Sequence, residues 1–127
     1  MTTTPQPGGA MPETKPIVLL AETTLQLAHV LRSFASALEQ PQFTTKAQDL
    51  LPKVLEHAER LQLRRVAIAD RCQVSEATVS RWASGRVKPH AIIAGVAIEA
   101  VGDLALEKAQ DYENEATPEL TLVELAH

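Results

Sequence analysis

Between Ile17 and Gln40 the residues Leu20, Leu27, Leu31, Phe34 and Leu38 recur at steps of seven, four, three and four, the rhythm that gathers side chains on one stripe of an α-helix. The pattern predicts an amphipathic helix ended by Gln40-Pro41. Leu51, Val54, Leu55, Ala58 and Leu61 repeat the same spacing further on. Just ahead of them Thr45 and Gln48 stand three apart, as in a capping box, and predict a helix restart. Pro52 then predicts either a kink or the first residue of a new segment. Three short helical segments follow at about 65–72, 75–84 and 89–101, separated by Gln73-Val74 and Ser84-Gly85-Arg86, and a last one covers 103–113.

The ends of the chain read differently. Residues 1–16, MTTTPQPGGAMPETKP, offer almost nothing apolar to bury, so ordering them would cost entropy without return, and disorder is expected. Residues 114–127 form an acidic tail in which Pro118 is expected to interrupt any helix. The organisation expected is thus a tail (1–16), an amphipathic helix (17–44), a compact helical domain (45–113) and the acidic tail. Only 3% of the residues are aromatic, while Ala and Leu abound, which argues for helices over strands. The expected fold class is all-α.

Charge changes the picture because it is unevenly spread. The whole chain carries −4, which taken alone argues against a nucleic-acid partner. Residues 53–90, however, hold eight basic side chains against four acidic, whereas residues 91–127 hold Lys108 alone against eight acidic. The middle of the chain can face a polyanion. The single cysteine, Cys72, cannot form an intrachain disulfide, and the N-terminus lacks the basic flank and apolar run of a signal peptide, so a cytoplasmic setting is expected. No apolar run approaches the length of a membrane span.

The candidate chemistry lies in the basic middle. Two crossing helices need a small residue at the crossing, a tight turn and apolar residues that fix the angle. Counted from Arg65, Ala69 is the small residue, and Ile68, Cys72, Val74, Val79 and Trp82 supply the apolar set. Packing then uses one side of the second helix and leaves Glu76, Ala77, Ser80, Arg81 and Ser84 pointing outward. Such a helix fits the major groove of duplex DNA, where Arg donates to guanine, Glu accepts from cytosine and an Ala methyl meets the thymine methyl.

The run "VAIADRCQVSEATVSRWASGRVKP", followed by "AIIAGVAIEAVG", resembles the lambda-repressor-like helix-turn-helix family, also called Cro/CI or XRE-like. The resemblance covers about Arg65 to Leu104 and rests on Ala69, Val74, Ser75, Val79, Ser80, Arg81, Trp82, Gly85, Lys88 and Pro89. It implies a compact helical DNA-binding domain from a bacterium or bacterial virus, here with an extra N-terminal helix, acting as a homodimer on a two-fold operator. Carried over by position, Glu76, Ala77, Ser80 and Arg81 would face bases, and Arg65, Arg71, Thr78, Ser84, Arg86 and Lys88 would contact or approach phosphates. Ser75 would cap the recognition helix. Two positions depart from the pattern: Gln73 stands where the family usually has Gly at positive φ, costing about 1 kcal/mol if that conformation is kept, and His90 stands where a small capping residue is usual.

Other features carry plainer readings. Trp82 and Cys72 read as core residues rather than a base-stacking platform and a redox sensor. His29, His57, His90 and His127 are scattered without partners at ligand spacing, so no metal site and no cofactor are expected. No nucleophile motif, phosphate loop or paired carboxylates stand out, and an enzyme is not expected. The resulting expectation is a transcription regulator, more readily a repressor than an activator, with double-stranded DNA and a second copy as partners and no membrane association. The alternative is an antitoxin or other protein-interaction module. Its partner would sit on the N-terminal helix, whose heptad positions Leu20, Thr24, Leu27, Leu31, Phe34 and Leu38 also suit a dimer seam, or on the acidic tail.

Overall fold

A computed structural model describes the backbone of residues 15–125 and the side chains of residues 20–116. Among the described residues all regular structure is helical: α1 (Lys15–Ala37), α2 (Gln42–Thr45), α3 (Ala47–Arg60), α4 (Arg65–Cys72), α5 (Glu76–Ser84) and α6 (Ala91–Leu125). The expected disordered segment 1–16 lies outside the described residues except for Lys15 and Pro16, which open α1.

α6 is the spine, touching α1, α2, α3 and α4, while α5 packs on α3 and α4. Alanines make this possible. Ala94, Ala97, Ala105 and Ala109 are fully buried along α6, and Ala28 and Ala35 are buried on α1, so the helix backbones approach closely. α1 runs antiparallel to α6: Arg32 makes a two-pronged ion pair with Glu113, both contacts at 2.7 Å, while Leu38 lies 3.8 Å from the space beside Gly102. The leucine stripe predicted for α1 is therefore only partly the buried one. Leu31 is buried with Ala28 and Ala35, and Phe34 and Leu38 pack against the core, but Leu20 and Leu27 are exposed. The helix turns its small residues toward the alanine seam, and the larger leucines are left on its flank.

The stripe on α3 lies as its spacing predicts, with Leu51, Val54, Leu55 and Ala58 buried and Leu61 packed against the core. Its start differs. The helix begins at Ala47 after the separate single turn α2, and no side chain caps it. Thr45 instead donates its hydroxyl to the Pro41 carbonyl, and Gln48 donates to the Pro89 carbonyl at 2.8 Å. The capping box is not formed because Thr45 closes α2 and Lys46 takes the N-cap position of α3. Pro52 lies inside α3 rather than at its first position.

α6 corrects the expected boundaries most. The predicted segments 89–101 and 103–113 are one helix running unbroken through Gly102, and it continues through Pro118, where an interruption is expected. A glycine in a helix costs only about 1 kcal/mol against alanine, and Val101 and Ala105 on either side of Gly102 are fully buried. Around Pro118 the chain is rich in Glu, Ala and Leu, all strong helix formers. The expected acidic tail is thus, as far as Leu125, the last turns of the spine.

Candidate nucleic-acid interface

α4, α5 and the three residues between them form the candidate site. Ile68, Ala69, Val79 and Trp82 are buried, and Cys72 and Val74 are half-buried against the same core. Burial pushes the Cys72 thiol above its ordinary pKa, so it remains protonated at neutral pH. Trp82 presents no ring face to solvent.

The chain enters and leaves α5 through two well-satisfied caps. Ser75, in an extended conformation, accepts the Thr78 backbone N–H on its hydroxyl oxygen at 3.1 Å, and the two hydroxyls lie 2.8 Å apart. Glu76 in the first turn adds a negative charge where the helix dipole favours one. At the far end Gly85 takes φ +78°, the Arg86 N–H reaches the Arg81 carbonyl at 3.0 Å, and the Gly85 N–H reaches that of Trp82 at 3.2 Å. These two bonds are a Schellman motif.

α4 ends in the same way but with Gln73 in the left-handed position, φ +58°. The Val74 N–H reaches the Ala69 carbonyl at 3.0 Å, and the Gln73 N–H reaches that of Asp70 at 3.3 Å. The turn keeps the conformation that Gly would favour. The same device closes α3, where Gln62 has φ +63° and the Leu63 N–H bonds to the Ala58 carbonyl at 2.9 Å. α6 opens behind Pro89, with the Ile92 N–H facing His90 Nδ1 at 3.5 Å, so His90 supplies the acceptor that a small capping residue would.

The outward residues separate into free and engaged groups. Glu76, Ala77, Arg81, Ser84 and Arg86 are exposed, and neither Arg81 nor Arg86 forms an ion pair among the described residues. The Ser84 hydroxyl donates to the Arg81 carbonyl at 3.1 Å. Ser80 and Thr78 are half-buried. Arg65 points along the protein: one guanidinium nitrogen donates to Ser80 Oγ at 3.1 Å and the other to Glu59 at 2.7 Å. Its Nε is buried without a partner. Three helices therefore meet at this side chain, α3 through Glu59, α4 through Arg65 and α5 through Ser80. Arg71 is held by Glu107 of α6, a pairing that raises the guanidinium pKa through the hydrogen bond. Lys88 reaches Asp49 at 2.8 Å, and that hydrogen bond holds the carboxyl below its ordinary range.

Spacing cannot reveal the Arg65–Glu59–Ser80 link, because its members are 6 and 15 residues apart across two chain reversals. Arg64, next to the motif, is a cation to which the sequence reading gives no role; it is exposed, precedes α4 and has no ion pair among the described residues. No cluster of His, Cys, Asp or Glu suited to a metal ion occurs among the described residues, and no described helix is long and apolar enough to cross a membrane. No family model, curated protein or solved structure matches the chain.

Proposed function

We propose that this protein is a sequence-specific DNA-binding transcription regulator whose α4–α5 pair acts as a helix-turn-helix, with α5 entering the major groove. The observation that carries the reading is the division of α5: Val79 and Trp82 are turned into the core, while Glu76, Ala77 and Arg81 stand exposed on a helix capped at both ends. A rigid helix offering one long donor, one acceptor and a methyl matches what base edges present in that groove. In this reading Arg81 and Glu76 read bases, and Ala77 contacts a thymine methyl. Arg64, Arg86 and Lys88 neutralise phosphates. Arg65 positions α5 from within the protein, and Arg71, held by Glu107, stays out of the contact.

Two copies reading a two-fold operator would place half-sites about one helical turn apart. Selection of bound duplexes from a random library at physiological salt tests this. Enrichment of one motif supports the reading, and a folded protein that enriches nothing refutes it. Arg81→Ala is expected to relax one base pair per half-site at about 1–3 kcal/mol, whereas Arg86→Ala weakens all duplexes alike. Equal losses on selected and random DNA for both variants would refute the division of roles.

One observation favours a second reading, a protein-interaction module such as an antitoxin. Leu20, Leu25, Leu27 and Val30 are exposed on α1. A partner seated there leaves α5 free to bind the module's own operator, so the two readings overlap, and a partner protein whose binding is lost on replacing these α1 side chains is the signature of the second.

A further inference from the structure

A groove of about 350 Å³ lies between the end of α1, α2 and the middle of α6. Part of its lining is apolar: Leu38 and Phe43 are half-buried against the core, Ile98 is buried, and Leu106 is exposed. Three exposed carboxylates, Glu39, Glu99 and Asp103, line it as well, and no basic side chain does. None of the three forms an ion pair among the described residues. Asp103 acts on Arg71 only through its field, while Glu107 holds that guanidinium. Two glycines of α6 keep the groove open. Gly95 and Gly102 stand two turns apart on one face, and each weakens the helix against alanine. Packing requires neither: a Cβ at Gly95 would have nothing within 4 Å, and one at Gly102 would meet Leu38 at 3.8 Å, an ordinary contact. A side chain at 95 would fill the groove instead.

We propose that this groove binds a small aliphatic polyamine, an organic cation whose ammonium groups are joined by methylene chains. Its volume falls in the range of small-molecule sites, which pair apolar walls with a few charged groups. The carboxylates select the sign of the ligand and its spacing. Glu99 and Asp103 stand one turn apart, about 6 Å along the axis, a separation that three or four methylenes between two ammonium groups span. Glu39 receives a further ammonium from the α1 side. The methylenes then lie against Leu38, Ile98 and the bare backbone at the glycines, and Phe43 supplies an aromatic ring of the kind that favours a cation at its face. An inorganic cation of equal charge meets the carboxylates but gains nothing from the apolar walls. Among the described residues no group of carboxylates is disposed to hold a metal ion, so an extended organic cation is the better match. No lining residue belongs to α4 or α5, so the site is separate from the candidate DNA interface and goes beyond the function proposed above.

Calorimetric titration of the full chain with spermidine, without nucleic acid and at fixed ionic strength, tests the proposal. One molecule per chain is expected to bind, with a dissociation constant below about 1 mM. Gly95→Leu fills the groove, and Glu99→Gln with Asp103→Asn removes two of its charges; each is expected to weaken binding by about tenfold or more. Asp111→Asn with Glu115→Gln removes the same charge elsewhere on α6 and is expected to leave binding unchanged. The charge positions are exposed and Gly95 faces open space, so helical circular dichroism should not fall in any of the three. Hexaamminecobalt(III), which has the charge of spermidine without its methylenes, is expected to bind about tenfold more weakly or worse. Absence of saturable binding overturns the proposal, as does a Gly95→Leu chain that binds like the parent. Equal losses in the two charge variants, or equal affinity for the cobalt complex, overturn it too, because net charge alone would then attract the ligand. With DNA absent from the titration, each of these failures leaves the DNA-binding reading standing.

Discussion

Gln73 closes α4 at φ +58°, and its side chain is exposed without a hydrogen bond among the described residues. Replacing it with glycine removes little more than a misplaced Cβ. An L-residue held in the left-handed region costs about 1–2 kcal/mol, while glycine returns about 0.5–1 kcal/mol through the greater freedom of its unfolded chain. Gln73→Gly should therefore stabilise the protein by about 0.5–1 kcal/mol, or roughly 2–5 °C in Tm for a chain of this size. Gly85→Ala is the mirror experiment. Gly85 has φ +78°, and nothing lies within 4 Å of an added Cβ, so the loss, about 1 kcal/mol, comes from conformation alone. Urea unfolding followed by helical circular dichroism reads both, with midpoints moving in opposite directions and an unchanged slope. A Gln73→Gly variant that is neutral or destabilised while Gly85→Ala loses stability would refute the account of the α4–α5 turn.

The remaining predictions use the same measurement. Ser75→Ala removes the acceptor for the Thr78 N–H and should cost about 1 kcal/mol; Ser75→Asp, which keeps an acceptor, should cost much less, and equal losses for the two would remove the cap from the argument. Leu51 is fully buried, so Leu51→Ala should cost about 2–5 kcal/mol, and a change below 1 kcal/mol would mean that this part of the core is loosely packed. Asp49 and Glu113 are held below the ordinary carboxylate range chiefly by hydrogen bonds from Lys88 and Arg32. Their stabilisation is complete above the unfolded pKa near 4 and is lost as pH falls through the lower folded values. The urea midpoint should therefore drop between about pH 5 and pH 2, and less steeply in Glu113→Gln; an identical acid profile for that variant would dismiss the Arg32 pair.

Much of the fold was legible because its helices announce themselves by period. The faces of α3 and α5 follow directly from spacing, since only Leu50 among the large apolar residues of α3 stands off the stripe of Leu51, Val54 and Leu55, and α5 has none beside Val79 and Trp82. α1 was less legible because it is apolar on more than one side. Which stripe it buries depends on α6, whose alanine seam accepts Ala28 and Ala35 more closely than it would accept Leu27. Breaks were over-read for a related reason. Gly102 costs only about 1 kcal/mol, which the burial of Val101 and Ala105 beside it outweighs, whereas Pro118 is a costlier signal that the helix nevertheless runs through. The reading at Gln73 left two outcomes open, a strained turn or an altered one. The backbone keeps the strain because the two cap hydrogen bonds and the inward position of Val74 depend on it.

Charge was the least legible property, since a segment's net charge assumes that its ions stay within the segment. The +4 of residues 53–90 does not survive folding as a count of available cations. Arg71 is taken by Glu107 from α6, Lys88 by Asp49 from the start of α3, and Arg65 and Arg60 by Glu59 and Glu56. Lys53, Arg64, Arg81 and Arg86 are left without ion pairs among the described residues. These engagements are not equally strong. Lys88 and Asp49 are both largely exposed, and such a pair is worth little in water, so a phosphate can draw the lysine away at small cost. Arg65 is different: drawing it out would undo the Ser80 and Glu59 contacts together and remove the polar link among α3, α4 and α5. A polyanion docking on α5 would thus find Arg64 and Arg86 unpaired for its phosphates, with Arg81 left for a base, recruit Lys88 as a third phosphate contact, and leave Arg65 in place. The log–log salt dependence of binding by a dimer should accordingly lie between about −3.6 and −5.4, from −0.9 per neutralised phosphate. Arg65→Ala should alter which sequences are bound before it alters that slope.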